Sequence, residues 1–494
     1  MRGVMCALVC ASVRQLARQV GIRISVRGSG CHCHSSHREG RSANPTDTSC
    51  SKHGVVHSKC VGMLSVPEVP AAARMAMSDW GPRFRRQAAA ATGRQVACGS
   101  IRVGTDCSGL EAPVLSLRAL GLTHEHLFSS EIKEKARKFI AMNFMPSSHA
   151  STRGGTSFIS DDMLARVSST LPYVELYIVG FPCKPFSHLR CGKSGGFKEK
   201  AARPFTKLLN VLQEMMPAVA ILENVEGIKR YMSKVWKALN KLKLYEILTV
   251  HVDPFCMGEP VHRPRIYFVL IRADVAVRDL DTKAALLVDA VGYHDRRATV
   301  AERIFAAHDA RTMAAATRAA RSTSTKAKPK KKPAAAGAAF ASSQGRGLKW
   351  KQLHVQHDAA PSQLPGATER QRSLHGILRQ EVDRKRKAVD LAKHVVDLSQ
   401  SLGRTRMYIN ELPVIAPSSK IWLAEQSRWL TGMEKILVHM VPIHTLKWPA
   451  ELHDGDLADL GGNTMHVMAV RLLSFGTSVA AVEVIVVISQ WQWV

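Results

Sequence analysis

The chain has 494 residues, 46% of them hydrophobic, which suffices for two or three domains with sizeable cores and rules out disorder over the full length. Lys and Arg total 69 against 40 Asp and Glu, so the net charge is +29 and we expect an anionic partner, nucleic acid before anionic membrane. The apolar stretch Val479–Ile488 contains Glu483 and is far shorter than the ~20 residues of a spanning helix, so we do not expect an integral membrane protein.

Cysteine usage argues against a disulfide framework and against a zinc site. The 11 cysteines are odd in number, lack the spacing of small secreted domains and form no Cys-x-x-Cys pair. The cluster Cys31-His32-Cys33-His34 could hold a metal ion, but it has no matched second pair. We therefore expect a reducing compartment (cytosol, nucleus or organelle interior) and no metal site.

The first 98 residues lack periodicity and are rich in Ser, Arg, His and Gly, which is typical of a disordered basic arm. Six arginines precede the first acidic residue, Glu39. An Arg-rich start without acids is also the composition of an organellar transit peptide. We favour the basic arm, because such arms are common beside nucleic-acid enzymes.

From residue 100 the pattern alternates between strands and helices. Apolar strand patterns occur at Ser100–Val103, Leu127–Glu131, Val174–Val179, Val219–Leu222 and Arg265–Ile271, and helical patterns at Pro113–Leu120, Ile132–Asn143 and Phe205–Met215. This alternation predicts an α/β fold with a doubly wound, mostly parallel sheet. Ligands of such sheets bind at the carboxyl ends of the strands.

Beyond Ala306 the pattern gives way to a basic linker. Lys326–Lys332 is a lysine cluster within Ala-rich sequence, and Arg384–Lys387 is a second cluster in a helix predicted over Gln380–Leu398. The first cluster could contact nucleic acid phosphates or act as a nuclear localisation signal. The chain is expected to be folded again from Arg406 to about Phe475.

The turn after the first strand is a candidate nucleotide site. Asp106-Cys107-Ser108-Gly109-Leu110 would place backbone N–H groups and a tight turn beside a ligand. Glu131, at the end of the next strand, could accept hydrogen bonds from both ribose hydroxyls of an adenosine-type ligand. The alternatives are a ligand-free turn of small residues and a carboxylate that only stabilises a helix start.

The segment Gly180-Phe181-Pro182-Cys183-Lys184-Pro185-Phe186-Ser187 carries the strongest signal. It directly follows an apolar strand, so it lies on the ligand side of the sheet. Pro182 and Pro185 stiffen the loop and present the sulfur of Cys183 in one direction. A lone cysteine in such a fold is more often buried and inert, but these flanking residues favour a nucleophile.

These blocks resemble the cytosine-C5 DNA methyltransferases, in which a Pro-Cys loop carries the nucleophile. The further blocks that follow in the family's order are Ile221-Leu222-Glu223-Asn224-Val225, Gly258–Arg265 with its two arginines, and Leu460-Gly461-Gly462-Asn463-Thr464. The resemblance covers about Ser100–Arg272 and, more faintly, Trp422–Leu473. It implies a class I methyltransferase sheet, S-adenosyl-L-methionine as cofactor, and double-stranded DNA as substrate.

The resemblance also implies a role for each site residue. Cys183 would add to C6 of a flipped cytosine, Glu223 would protonate or hydrogen-bond N3, and Arg263 and Arg265 would position the base and favour the thiolate. The cofactor would be held by Asp106, Cys107, Ser108, Gly109, Leu110, Glu131, Asp161 or Asp162, Pro182 and Asn463. No metal takes part.

Four positions depart from the family pattern. Lys184 stands where Gln is usual, Val261 replaces the Gln before the first arginine, and Glu111 and Ala112 replace later glycines of the first block. None of them removes a nucleophile or a proton-transfer group. They leave the rate and the efficiency of base flipping open.

The predicted organisation has four parts: a disordered arm over 1–98, a catalytic domain over 99–275, a basic linker with a target-recognition region over 276–449, and a segment over 450–478 that folds back onto the catalytic domain. Two alternatives remain beside a DNA methyltransferase. One is an RNA enzyme of the tRNA-methylating branch, disfavoured because no Cys-Phe-Thr follows Cys256. The other is a catalytically decayed nucleic-acid-binding relative. We expect a nuclear protein, or an organellar one if the arm is a transit peptide.

Overall fold

The computed structural model describes residues 63–78, 82, 100–144, 159–188, 195–276, 297–306, 362–385, 391–471 and 473, together with the backbone of strand β1, Arg23–Arg27. Cys31–His34 and the lysine cluster Lys326–Lys332 lie outside these residues, so the predictions made for them stay predictions. Among the residues described, no helix is long and apolar enough to cross a membrane.

An eight-stranded sheet forms the centre of the molecule, in the order β1-β7-β8-β6-β5-β2-β3-β4. Its strands after β1 are β2 Ile101–Asp106, β3 His124–Ser130, β4 Ile159–Ser160, β5 Leu176–Val179, β6 Val219–Val225, β7 Tyr245–Val252 and β8 Arg265–Arg272. The pairs among β2, β3, β4, β5 and β6 are parallel. The predicted doubly wound, mostly parallel α/β sheet is therefore confirmed.

Two strands of the sheet, β1 and β8, run opposite to the other six. β8 pairs antiparallel with both β6 and β7, so its first residue, Arg265, lies opposite Val225 and Val252 at the ends of those strands. An antiparallel strand begins at the edge where its neighbours end. This reversal brings Arg265 to the ligand side of the sheet. The sequence patterns did not predict β1, β4 or β7.

Helices cover both faces of the sheet. They are α1 Ala112–Leu120, α2 Glu134–Asn143, α3 Arg203–Met215 and α4 Met232–Asn240. Side chains of β5 alternate between the two cores, because successive residues of a strand point to opposite faces. Leu176 and Ile178 join the core under α1 and α2, whereas Tyr177 and Val179 join the core under α3 and α4.

Part of the N-terminal arm is ordered, which differs from the expected disorder. Residues 63–78 include a helix at 71–78, and Val69, Ala73 and Met77 are buried in the core that contains α1 and α2. Leu64 N also donates to Trp448 O at 2.8 Å. Short apolar spacing of this kind becomes stable only against a partner surface, which local sequence patterns do not report.

A second, four-stranded antiparallel sheet follows in the order β10-β9-β11-β12. Its elements are helix α5 Glu369–Lys385 and strands β9 His394–Asp397, β10 Met407–Ile409, β11 Ile421–Leu423 and β12 Arg428–Trp429. The helix predicted over Gln380–Leu398 is therefore wrong in its second half. Val395 and Val396 are β-branched and bury opposite faces of β9 in two different cores, which favours a strand.

The C-terminal segment packs on the α1–α2 face of the large sheet. Helices α6 Gly432–Leu437 and α7 Asp454–Asn463 and the helical residues 467–471 supply many of the buried side chains of that core. Ser116 of α1 donates to Val467 O at 2.9 Å across 351 residues of sequence. Residues 432–473 thus add to the core of the domain that begins near residue 100.

Candidate active site

The candidate site lies at the edge where β2, β3, β5 and β6 end and β8 begins. The turn after β2 leaves the sheet through left-handed backbone conformations at Cys107, Gly109 and Glu111, with φ of 53°, 57° and 54°. Gly109 N donates to Glu131 Oε2 at 2.9 Å, and Ser108 N donates to Ser130 O at 3.1 Å. The turn is therefore attached to the end of β3 before any ligand is present.

Asp106 serves as a buried anchor. Its carboxylate accepts hydrogen bonds from both terminal nitrogens of Arg166 at 2.9 and 2.7 Å, from Ser130 Oγ at 2.6 Å and from Tyr177 OH at 2.5 Å. Both carboxylate oxygens are thus used within the protein. Its side chain connects the segment after β4 to the end of β2 through Arg166.

Glu131 connects the turn after β2 with the start of α2 through its two carboxylate oxygens. Oε2 accepts from Gly109 N and Oε1 from Lys133 N at 3.0 Å, while the residue is only 8% exposed. The next residue, Ile132, is 72% exposed, an unusual position for a large apolar side chain. The sequence patterns do not single out Ile132, and its exposure just after β3 makes it a further candidate residue of the site.

Asp161 and Asp162 lie just beyond β4, on the same edge. Asp161 Oδ1 accepts from the N–H of Asp162 at 2.9 Å, and Asp162 Oδ1 accepts from Leu164 N at 2.8 Å. Asp161 is exposed and Asp162 half-buried. Arg166, which is bound to Asp106, holds this short segment in place.

Glu111, one of the departures from the family pattern, is fully buried beneath the turn. Its Oε1 accepts from Thr105 Oγ1 at 2.9 Å and from Ser129 Oγ at 2.5 Å. Ser108 Oγ completes the cluster through contacts with Thr105 Oγ1 and Ser129 Oγ. The carboxylate therefore stabilises the turn after β2 from its buried side. A glycine at this position would leave the hydroxyl groups of Thr105 and Ser129 without this partner.

The Pro-Cys loop is rigid at both ends. Asn224 Nδ2 donates to Phe181 O at 3.0 Å, and the N–H groups of Phe186 and Ser187 donate to Cys183 O at 2.9 and 3.0 Å. Beneath it, the rings of Phe186, Phe197, Phe205, Tyr231 and Phe181 pack against one another. Pro182 and Cys183 are half-buried at the surface of this cluster, and Lys184 points to solvent.

Glu223 and Arg265 form an ion pair beside Cys183. The Arg265 Nε to Glu223 Oε1 distance is 2.8 Å, and each side chain is 10% exposed. Burial raises the pKa of the Cys183 thiol above its ordinary value, Arg265 and Arg263 oppose that rise, and the Glu223 carboxylate adds to it. The site thus brings together the predicted nucleophile, acid and second arginine.

Arg263 points into the protein interior. Its guanidinium donates to the carbonyl of Thr464 and, at 3.4 Å, to those of Ile415 and Gly462, and it is 3% exposed. Burial lowers the pKa of Arg263 to about 9, and the nearby Arg265 charge adds to this effect. Arg263 therefore holds the C-terminal segment in place, and its influence on Cys183 is electrostatic.

Asn463 is exposed, and its amide donates to Asp459 O at 2.7 Å within its own helix. Asp459 in turn pairs with Lys133 at 2.5 Å, two residues after Glu131. The residue of this segment that reaches the site is Met465, since its methyl group covers Gly180 at the start of the Pro-Cys loop. No cluster of three or more potential metal ligands occurs among the described residues.

Several known proteins are similar to this chain. The model of the family described as C-5 cytosine-specific DNA methylase matches residues 106–389, more than half of the chain. The type II methyltransferase M.HgiCI of Herpetosiphon aurantiacus is 28% identical over 159 residues, covering 31% of this chain and 34% of that protein. The DNA (cytosine-5-)-methyltransferase DMT5 of Verticillium dahliae is 23% identical over 451 residues, covering 74% of this chain and 19% of that protein.

The chain thus spans about a third or less of the length of these two relatives. Among solved structures, the Entamoeba histolytica methyltransferase EhMeth aligns with a TM-score of 0.46 at 12% identity, covering 76% of this chain and 98% of that one. The match over residues 106–389, with its ordered blocks, shows that the chain belongs to the C-5 cytosine-specific DNA methylase family.

Proposed function

We propose that this chain transfers a methyl group from S-adenosyl-L-methionine to C5 of cytosine in double-stranded DNA. The observation that carries the proposal is the convergence at Gly180, where a Cβ would lie 3.4 Å from Glu223 Oε2 and 4.0 Å from Cys107 O. Glu223 and the turn after β2 thus approach each other at Gly180, which has no side chain and lies three positions before Cys183. Methyl transfer requires this proximity of the two reactants.

The residues around the cofactor turn fit an adenosine group. A Cβ on Gly109 would meet nothing within 4 Å, so there is open space beside the turn. Glu131 is placed for the ribose hydroxyls, the exposed Ile132 for one face of the adenine, and Asp161 or Asp162 for its amino group. S-adenosyl-L-methionine would supply an electrophilic methyl group at this place.

The base-side residues supply the remaining steps. The Cys183 thiolate adds to C6 of the cytosine, which moves electron density to C5 and makes N3 more basic. Glu223 donates a hydrogen bond or a proton to N3, and Arg265 keeps the carboxyl group oriented for this task. C5 then takes the methyl group, which leaves S-adenosyl-L-homocysteine, and gives its proton to water. β-Elimination breaks the S–C6 bond, returns the thiolate and releases the proton gained at N3. The base must be flipped out of the duplex to reach these groups.

Incubation with tritiated S-adenosyl-L-methionine and either duplex DNA or total tRNA tests this proposal. We expect label in DNA, in the cytosine C5-methyl group, and none with Cys183→Ser. Label confined to tRNA would move the chain to the RNA-methylating branch. DNA binding without label would identify a decayed, nucleic-acid-binding relative.

We also propose a nuclear location, supported by the lysine cluster Lys326–Lys332 and the excess of positive charge. A fluorescent fusion of the full chain should accumulate in the nucleus and lose that preference when the cluster is deleted. Accumulation in an organelle would instead identify residues 1–98 as a transit peptide.

A further inference from the structure

Two helices of the large sheet are rich in lysine, but only one of them has its charges neutralised. On α2, Lys135 pairs with Asp456 at 2.6 Å, and Lys138 pairs with Glu451 and Glu134 at 3.3 and 3.2 Å. Two of these acids, Asp456 and Glu451, belong to the C-terminal segment that covers this face. The lysines of α2 are therefore exposed, but acidic side chains neutralise their charge.

Helix α4, on the opposite face, has no such partners. Arg230, Lys234, Lys237 and Lys241, which we call the basic stripe, are all exposed. Lys234, Lys237 and Lys241 are spaced by three and four residues, so they lie along one side of the helix. Within the part of the chain that the structure describes, none of the four forms an ion pair with an acidic side chain.

The other side of α4 explains why this orientation is fixed. Val235 and Leu239 are fully buried in the core under α3 and α4, on the side of the helix away from the lysines. Because the apolar side is held against the sheet, the three lysines cannot turn away from solvent. They form a permanent row of positive charge about 10 Å long, from a rise of 1.5 Å per residue.

The stripe begins at the active-site loop. Arg230 donates to Phe186 O at 3.2 Å, and Phe186 is three residues from Cys183. Gly196 N donates to Pro185 O at 3.1 Å from the other side, which places the exposed Lys198 and Lys200 at the same entrance. Positive charge thus continues from the entrance of the site along α4.

We propose that the basic stripe binds the phosphate backbone of the DNA duplex that flanks the target cytosine. The proposal rests on the proposed function for the identity of the polyanion, and it adds a binding surface outside the catalytic cleft. Unpaired lysines in a row match a line of phosphates, whereas a purely solvated helix face usually carries charges of both signs. Residues 195–243 contain ten Lys and Arg against four Asp and Glu, which supports an anionic partner.

The test compares two double variants that remove equal charge from exposed lysines. Lys237→Gln/Lys241→Gln removes charge from the stripe, and Lys135→Gln/Lys138→Gln removes it from the neutralised helix α2. On a duplex of about 30 bp, we expect the stripe variant to lower the slope of log affinity against log salt by about 2, at roughly 0.9 per phosphate contact. The α2 variant should leave the slope unchanged.

Duplex length separates this inference from the proposed function. A duplex of about 12 bp, some 40 Å long at 3.4 Å per base pair, should be methylated equally by the wild type and the stripe variant at saturating DNA, because the stripe contributes to affinity and not to the chemical step. Lys237→Arg/Lys241→Arg should restore the wild-type slope on the long duplex. Equal slopes for wild type and stripe variant, with methylation of the short duplex intact, would overturn the inference alone. No methylation of either duplex, with the slope difference present, would overturn the proposed function alone.

Discussion

The two halves of the candidate site are built in different ways. On the cofactor side, Asp106 accepts four hydrogen bonds and Glu111 accepts two, all from groups of the protein itself. On the base side, the proposed reactive groups are Cys183, Glu223 and Arg265, of which Glu223 and Arg265 form one ion pair. In the first half, the polar groups form internal hydrogen bonds that fix a turn. In the second half, we propose that they interact with the substrate.

This difference has a physical reason. Binding a nucleoside needs backbone N–H groups and a carboxylate at fixed positions, and buried hydrogen bonds provide that rigidity. Bond formation at C6 needs a thiolate and an acid whose protonation can change, so those groups cannot be fully satisfied beforehand. We therefore expect substitutions in the first half to weaken cofactor binding and substitutions in the second half to lower the rate of transfer.

The sharpest test of this division is Cys183→Ser. A hydroxyl group is far less nucleophilic than a thiolate near neutral pH, so methyl transfer should fall by more than about 10³-fold. Cofactor affinity, measured by calorimetry, should stay nearly unchanged because we propose that the cofactor binds at Gly109 and Glu131. Turnover close to that of the wild type would contradict the role of Cys183, and lost cofactor affinity would contradict the division itself.

Glu131→Ala should have the converse effect. Loss of a carboxylate that accepts charge-assisted hydrogen bonds costs roughly 1.5–3 kcal/mol, which corresponds to a roughly 10- to 150-fold weaker cofactor Kd. DNA affinity measured without cofactor should change little. Glu125→Ala, on the same strand, is a matched control and should retain the wild-type Kd. An unchanged cofactor Kd in Glu131→Ala would show that the end of β3 does not face the cofactor.

The pH dependence of transfer should reflect the base side. Because burial raises the pKa of the Cys183 thiol, only a small fraction is thiolate near neutral pH, and the rate should rise about tenfold per pH unit until that pKa is reached. Single-turnover rates from about pH 6 to pH 9 measure this, with cofactor binding over the same range as the control. A flat profile would show that the thiol is ionised within the complex by a neighbouring group.

Lys184→Gln should produce the smallest effect, an increase. Lys184 is exposed beside the nucleophile, and an amide can both donate and accept hydrogen bonds to the bases left behind after flipping. One such bond, worth roughly 0.5–1 kcal/mol, gives about a two- to fivefold faster transfer. Single-turnover methylation of a defined duplex compares the two proteins. A slower variant would mean that the Lys184 charge favours the thiolate more than the amide helps positioning.

Several residues could be placed from the sequence because the signal is local. Cys183 lies in the loop after β5 and Glu223 near the end of β6, and the carboxyl end of a buried strand in a parallel sheet is where ligands usually bind. Glu131 was placed in the same way. Ile132 could have been found by the same reasoning, since it follows the acidic residue at the end of β3.

Other roles depend on residues far away along the chain. The carboxylate of Asp106 is occupied by Arg166 and Tyr177, 60 and 71 residues away. Arg263 and Arg265 look equivalent in the sequence, yet one binds carbonyl groups of the C-terminal segment about 200 residues later and the other pairs with Glu223. No local pattern distinguishes the two arginines.

The sequence by itself determined the parallel α/β sheet, the ligand edge and the identity of the groups at that edge, because strand periodicity and short loops act over a few residues. Only the tertiary structure decided which polar groups already have hydrogen-bond partners. It also decided that β8 runs antiparallel and places Arg265 at the site. Finally, it decided that acids of the C-terminal segment pair with the lysines of α2 and not with those of α4. These outcomes depend on contacts between distant parts of the chain. The free energy of such contacts comes from burial and charge pairing in the folded protein. A short stretch of sequence does not report these contributions.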